Sequence, residues 1–419
     1  MTKKNEFKMP YLGIAPQPDF DLLYGLNGEF SVVIKMNNPV LQYAGSAEAY
    51  LEFHNLFNNI IKVLGSGYLI QKQDVLSNCL YPYRPAAEYL QDQYNRHFAG
   101  RQVLNLQTYL CITRGVKKGA FYQYDPKSLN AFKQNIDKVM AILSSAGAKP
   151  EILHEKEIRM LLKRILSMNF SEGAFSLNNL AVADTEIKMG TSSLRSISLI
   201  DIDTIDLPSE IAANTVLTGN DATRGFPVDL LSFLTKTPGY RCILYNQLIE
   251  IPDQSLTLRK LALKRKRHSG IPDPANAICV EDIDLLLNDV ARDNQLLVNA
   301  HFNILVSAEN DLLQGACNFI ESELFNLGIT PSSNAYNQLE LFRTAIPGNG
   351  VELKPYDWFL TTGDAALCFL YKESLPRDDP SDFLIRFTDR QGTPLGIDLS
   401  DLMMDTGRMT NRSRFCLGP

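Results

Sequence analysis

The run Arg414-Phe415-Cys416-Leu417-Gly418-Pro419 reads as a short apolar strand entering a glycine. A phosphate-binding loop opens in this way: in G-x-x-x-x-G-K-[ST], backbone N–H groups cradle the phosphates, the lysine reaches the outer phosphates and the hydroxyl holds Mg²⁺. Gly418 and Pro419 are the residues expected to begin that loop, and its later glycine, lysine and hydroxyl are not in this sequence. Charge on a transferring phosphoryl group would have nothing here to stabilise it. Residues 1–419 alone are therefore expected neither to hydrolyse ATP nor to bind it tightly.

A second chemical feature is cationic. Arg259, Lys260, Lys264, Arg265, Lys266 and Arg267 fall in a stretch with no carboxylate between Asp253 and Asp273. On a helix these charges point in nearly every direction, so the last turn has no broad apolar face and should project into water. Such a helix end is either simply solvated, with its cations suiting the C-terminal dipole, or a contact for an acidic partner, an anionic lipid surface or DNA. Asp201 and Asp203 share one face of a strand, with Asp206 close behind, which is a candidate metal arrangement and equally the wet face of an ordinary strand. His301 alternates with a buried set and has no Ser or Cys placed to partner it, so it reads as a solvent-side or hydrogen-bonded histidine. Cys416 reads as a small buried hydrophobe, and Tyr356 and Trp358 beside Pro355 as loop anchors.

Composition narrows the classes. The 419 residues are 45% hydrophobic, 21% charged and 9% aromatic, which is globular rather than disordered or fibrous. A formal net charge of −6 with a pI near 5.5 argues against a surface that tracks nucleic acid throughout, leaving room only for a local basic patch. Seven cysteines without a C-x-x-C pair suit reduced thiols in the cytoplasm better than a disulfide framework or zinc site. No apolar h-region precedes Pro10 and no run of about 18 apolar residues occurs, so neither a secretory signal nor a spanning helix is expected.

The elements that would position these residues are short and mixed. Residues 29–36 have strand composition after the Asn27-Gly28 turn; Ser46 caps a helix whose Ala49, Tyr50, Phe53, Phe57, Ile60, Ile61 and Leu64 recur at helical spacing; residues 68–71 return as a strand. Helices are expected over 86–98, 129–143 and 154–168, and a strand over 108–113. A Gly/Ser/Asn break at 172–179 suggests a boundary. Beyond it come strands at 186–189, 196–202 and 241–250 and the basic helix at 254–268. Val298, Ala300, Phe302, Ile304 and Val306 then alternate, implying one buried face and one wet face carrying Asn299, His301 and Asn303. A helix over 313–327 and a strand over 339–344 would repeat the strand-helix-strand pattern. A loop at 345–350, a helix at 363–371 and a hairpin of 383–388 with 395–399 follow. The fold class expected is α+β: mixed sheets with ferredoxin-like strand-helix-strand units, ending at the first strand of a truncated RecA-like P-loop domain. The corresponding division is 1–175, 176–345 with the basic helix, and 346–419 as the lead-in to the ATPase domain.

Residues 410–419, Thr-Asn-Arg-Ser-Arg-Phe-Cys-Leu-Gly-Pro, resemble the lead into the phosphate-binding loop of the TraG family of conjugative-transfer ATPases, relatives of the VirB-type ATPase of type IV secretion. Gln71-Lys72-Gln73-Asp74, Tyr94-Asn95-Arg96-His97-Phe98, Val298-Asn299-Ala300-His301-Phe302-Asn303 and Ala345-Ile346-Pro347-Gly348-Asn349 resemble further segments of that family in the same order. The likeness runs from about Tyr24 and is weakest between Gly115 and Glu186; Val75 departs from the aromatic residue it implies there. It implies an N-terminal assembly and docking region, cytoplasmic and peripherally associated with the inner membrane. Its expected partners are inner-membrane components of the secretion channel and, in the full-length protein, sister subunits. ATP and Mg²⁺ would belong to the full-length protein and no cofactor to this chain. Two other classes remain: a freestanding hydrolase, which lacks an assembled nucleophile, base or metal set, and a DNA- or anionic-surface-binding module acting through the basic helix.

Overall fold

The computed structural model describes residues 7–17, 20–43, 46–115, 126–171, 177–199, 214–216, 226–270, 273–332, 337–381, 384–389, 392–407, 409–411 and 413. Strands β1 (Tyr11–Pro16), β2 (Asp21–Gly25), β3 (Phe30–Met36) and β4 (Val40–Leu41) precede helix α1 (Glu48–Leu64). Strand β5 (Tyr68–Leu80), helix α2 (Tyr89–Phe98), β6 (Gln102–Arg114), α3 (Pro126–Ser145), β7 (Glu151–Ile152) and α4 (Glu155–Ser167) follow. Then come β8 (Leu180–Val182), β9 (Ile187–Met189), β10 (Ser192–Ser198), β11 (Asn214–Val216), β12 (Phe226–Val228) and β13 (Tyr240–Ile251). Helices α5 (Gln254–Ser269) and α6 (Pro274–Asp293) lead to β14 (Leu297–Glu309), α7 (Leu313–Asn326) and α8 (Gln338–Thr344). The described chain ends with β15 (Phe359–Thr362), α9 (Gly363–Cys368), β16 (Glu373–Ser374), β17 (Ile385–Thr388), β18 (Pro394–Ile397) and α10 (Asp401–Asp405).

The fold is mixed α+β around a large antiparallel sheet. Among the described residues this sheet has twelve strands, in the order β1-β2-β3-β6-β5-β13-β14-β10-β9-β8, with β7 added to β3 and β15 to β14. Its first half has the order β7-β3-β6-β5, with α1 connecting β3 to β5 and α3 connecting β6 to β7: a split β-α-β arrangement. The second half runs β13-β14-β10, with α7 after β14 and a single bridge from Ser332 back to Ser198 beyond β10. The two halves meet where β5 pairs with β13 over ten residues, Tyr68 opposite Ile251 through Ser77 opposite Cys242. The break expected at 172–179 therefore does not interrupt the sheet.

The pleat decides which helices cover which face. On one face Ile34, Ile70, Ile112, Tyr245 and Phe302 pack with Phe53, Phe57 and Ile61 of α1, Phe132 and Ile136 of α3 and Ile320 of α7. On the other, Val33, Val75, Leu244 and Leu305 pack with Ile158, Leu161 and Ile165 of α4 and Phe342 of α8. Helix α1 forms because its apolar residues recur three and four apart, and it ends at Gly65, whose φ of 68° few other residues tolerate.

Several sequence expectations need correction. Residues 339–344 are helical, not a strand: Gln338, Leu341, Phe342 and Thr344 are buried, and the first three follow helical spacing. Strands β5 and β6 extend far beyond 68–71 and 108–113: the polar residues 71–74 of β5 face buried partners rather than water, and β6 pairs with β5 along its whole length, from Gln102 opposite Leu80 to Arg114 opposite Tyr68. The wet face expected on β14 is mostly closed: His301 and Asn303 are buried, and only Asn299 is partly exposed. Helices α2 and α9 are shorter than expected, whereas the hairpin near the end forms as β17 with β18. Gly418, Pro419, Cys416, Asp201, Asp203 and Asp206 lie outside the described residues.

Candidate functional site

Gln71, Lys72, Gln73 and Asp74 lie in succession in the middle of β5, and alternation sends Gln71 and Gln73 to one face and Lys72 and Asp74 to the other. Next to them, β13 places Asn246 opposite Gln73 and Gln247 opposite Lys72, and β14 places Asn303 opposite Asn246. All these side chains are buried, so each must find its hydrogen bonds inside the protein.

On the α8 face they do so as a chain of amides. Gln71 Nε2 donates to Asn246 Oδ1 (2.9 Å) and Thr344 O (2.9 Å), and Gln73 Nε2 donates to Asn246 Oδ1 (3.1 Å) and Ala345 O (2.6 Å). Asn246 Nδ2 passes the contact to Asn303 Oδ1 (3.2 Å), and Asn303 Nδ2 donates to Ser196 Oγ (3.0 Å). The backbone N–H of Gly348 returns to Gln71 Oε1 (2.9 Å). Gly348 has φ 75°, and a Cβ there would stand 2.6 Å from Ser31 Oγ, so only glycine seats this turn without strain. The amide chain thus ties residues 344–348 to four adjacent strands. On the same face His301 Nδ1 donates to Asp357 O (2.9 Å), an acceptor only, which fixes the proton on Nδ1 and leaves buried Nε2 without a partner. Burial pulls His301 down to about 4.

The α1 face holds charge instead. Lys72 Nζ forms an ion pair with Asp74 and donates to Tyr371 O (2.7 Å); both side chains are wholly buried. Asp74 also accepts from Asn38 Nδ2 (2.8 Å), Thr108 Oγ1 (2.7 Å) and Gln247 Nε2 (2.8 Å). Lys372 Nζ lies 3.7 Å from Asp229 and donates to Leu370 O (2.7 Å). Glu373 Oε1 accepts from Tyr50 Oη (2.7 Å) and from Asp229 N (2.7 Å). Burial, then the nearby Asp229 carboxylate, pushes Glu373 up to about 7. Burial lowers the Lys72 ammonium, against the pull of Asp74. No substrate reaches an ion pair so completely enclosed; this cluster fastens residues 371–373 to the sheet.

A cleft of about 350 Å³ lies between the ends of β3 and β6, the segment after β16 and the start of β18. Arg84 and Arg377 line it, exposed and, among the described residues, outside any ion pair, beside Asn38 and Thr393. Asp378, also in its wall, is already engaged by Arg386 Nη1 (2.7 Å) and by Gly396 N (2.8 Å).

The basic residues are gathered on a helical hairpin. Asp253 caps α5 by accepting from Leu256 N (3.1 Å), and α6 follows after a short connection. Only Leu261 on α5 and Ile283 on α6 are buried, with Leu297, so the hairpin stands out from the sheet. Arg259, Lys260, Lys264, Arg265, Lys266 and Arg267 are all exposed, as the all-round charge of the sequence requires. Arg265 pairs in a two-pronged manner with Asp284 of α6, while the other five enter no ion pair among the described residues. Trp358 packs against Leu69, Leu248, Leu341 and Leu353, and Tyr356 Oη reaches Glu340 (3.2 Å), so both anchor the loop between α8 and β15.

Sequence reasoning missed the buried cluster of Lys72, Asp74, Asp229, Lys372 and Glu373. The available signal was four polar residues between Ile70 and Val75 in an otherwise apolar run. Among the described residues no group of three or more His, Cys, Asp or Glu could hold a metal ion, and no helix is long and apolar enough to cross a membrane. No family model matches the chain, and no curated protein matches it.

Proposed function

We propose that this chain is the N-terminal assembly and docking region of a conjugative-transfer ATPase of the TraG type. In this reading the two halves of the sheet are ferredoxin-like units forming a scaffold, and β17 and β18 lead into a RecA-like domain entered at Gly418. ATP and Mg²⁺ are held by that following domain. The scaffold meets sister subunits and inner-membrane components of a type IV secretion channel from the cytoplasmic side, as a peripheral partner of the membrane.

The observation that carries the reading is a convergence. Segments 71–74, 298–303 and 345–349, which hold the resemblance and are distant in sequence, come together in one amide chain through Gln71, Gln73, Asn303, Ala345 and Gly348. Their meeting inside the sheet supports the reading that these segments serve one fold. The fourth segment, on α2, touches the terminal hairpin where Tyr94 Oη donates to Phe387 O (2.6 Å).

Reading the gene past codon 419 tests the proposal. Gly-Lys-Ser or Gly-Lys-Thr within a few codons is the expected continuation, and a reading frame that continues without a lysine-bearing glycine loop overturns it. The exposed cations of α5 favour a second reading, a module that binds DNA or an anionic surface. Duplex DNA bound by the 419-residue chain with a steep salt dependence would select that reading.

A further inference from the structure

Independently of that reading, we propose that the cleft between β6 and the segment after β16 binds a small organic oxyanion, a phosphate monoester or a carboxylate. Arg84 and Arg377 supply the charge. Among the described residues neither guanidinium has an ion-pair partner, and Asp378, the carboxylate in the same wall, is already neutralised by Arg386. Two free guanidinium forks on one concavity favour an oxyanion, because each can offer parallel N–H donors to its oxygens.

The rest of the wall bounds what the cleft can hold. Asn38 is 2% exposed, its Nδ2 is spent on Asp74 Oδ1 (2.8 Å) and Glu373 O (2.9 Å), and its Oδ1 is closed to solvent, so it contributes wall rather than a contact. Thr393 Oγ1 is closed to solvent in the same way. Leu104, Leu106, Pro376 and Pro394 provide apolar wall. Two exposed cations and apolar surface on one concavity describe a site for a small organic anion. The volume of about 350 Å³ limits it to one of modest size.

The 419-residue chain, titrated calorimetrically at low salt with inorganic phosphate, glycerol 3-phosphate and succinate, provides the test. Saturable binding is expected for at least one of these oxyanions. Preference for the phosphates or for succinate identifies which oxyanion the cleft takes, and either upholds the site. Arg84→Ala/Arg377→Ala should weaken binding by about tenfold or more. The control Lys264→Ala/Arg267→Ala, which removes the same charge elsewhere, should leave it unchanged. Both arginines are exposed, so an unaltered melting midpoint in the double variant is the check on folding. Absence of saturable binding for all three probes, or equal loss in the cleft variant and the control, overturns the proposal.

Discussion

Lys72 and Asp74 lie two residues apart on β5, face the same side of the sheet and pair with each other entirely out of reach of solvent. Removing one member leaves the other as an uncompensated buried charge. Asp74→Ala is expected to cost about 3–5 kcal/mol in urea unfolding, as is Lys72→Met. The double variant Lys72→Met/Asp74→Leu should cost clearly less than the sum of the two. It will not be neutral, because Asn38, Thr108 and Gln247 all lose their acceptor.

Glu373 makes stability depend on pH. Its carboxyl is raised from an ordinary 4.5 to about 7 in the folded protein, so between those values the native state holds a proton that the unfolded chain has released. The stabilisation is complete below about pH 4.5 and is lost as pH rises through 7, a change on the order of 1–3 kcal/mol. His301 acts in the opposite sense: lowered from 6.5 to about 4, its contribution is complete above 6.5 and is lost as pH falls toward 4. Glu373→Gln keeps the acceptor for Tyr50 and Asp229 while removing the titration. Denaturant midpoints measured from pH 4.5 to 7.5 should therefore fall less with rising pH in the variant than in the unaltered protein.

Helical periodicity made α1, α3 and α7 legible, the basic composition pointed to α5, and alternation exposed the apolar face of β14. What stayed hidden was burial on both faces at once. Gln71, Lys72, Gln73 and Asp74 look like the end of a strand because polarity usually means water, and only their partners on β13, β14 and the 344–373 region make them interior. Those partners lie as far as 299 residues away, beyond any local pattern. Residues 339–344 misled for a related reason: Leu339 and Leu341 satisfy a period of two, while Gln338, Leu341 and Phe342 satisfy helical spacing, and contact with Gln71 and Ser196 selects the helix. The cleft was illegible because Arg84, Asn38, Arg377 and Thr393 come from four separate connections.

The α5–α6 hairpin predicts a separation of stability from binding. Lys264→Glu/Lys266→Glu/Arg267→Glu spares the Arg265 to Asp284 pair and alters only exposed side chains. Thermal midpoints should stay close to those of the unaltered protein, within about 0.5 kcal/mol of stability. Retention on heparin, or on vesicles containing anionic lipid, should fall sharply at low salt and converge with the unaltered protein at high salt. Unchanged retention at low salt would leave α5 as a solvated helix end.

Gly348 offers a test of how tightly the 344–348 turn is held to the sheet. Its N–H binds Gln71 Oε1, its φ is 75°, and the space a Cβ would need is occupied by Ser31 Oγ. Gly348→Ala therefore adds a dihedral cost of about 1–2 kcal/mol to a steric one, and unfolding should show a loss above the dihedral part alone. Adding Ser31→Ala removes the steric obstacle but also ends the Ser31 to Thr113 hydroxyl contact (2.9 Å). The double variant should recover part of the loss and never all of it. Full recovery would mean that the turn has moved off Gln71 without penalty, and the amide chain would then not be what holds residues 344–348 in place.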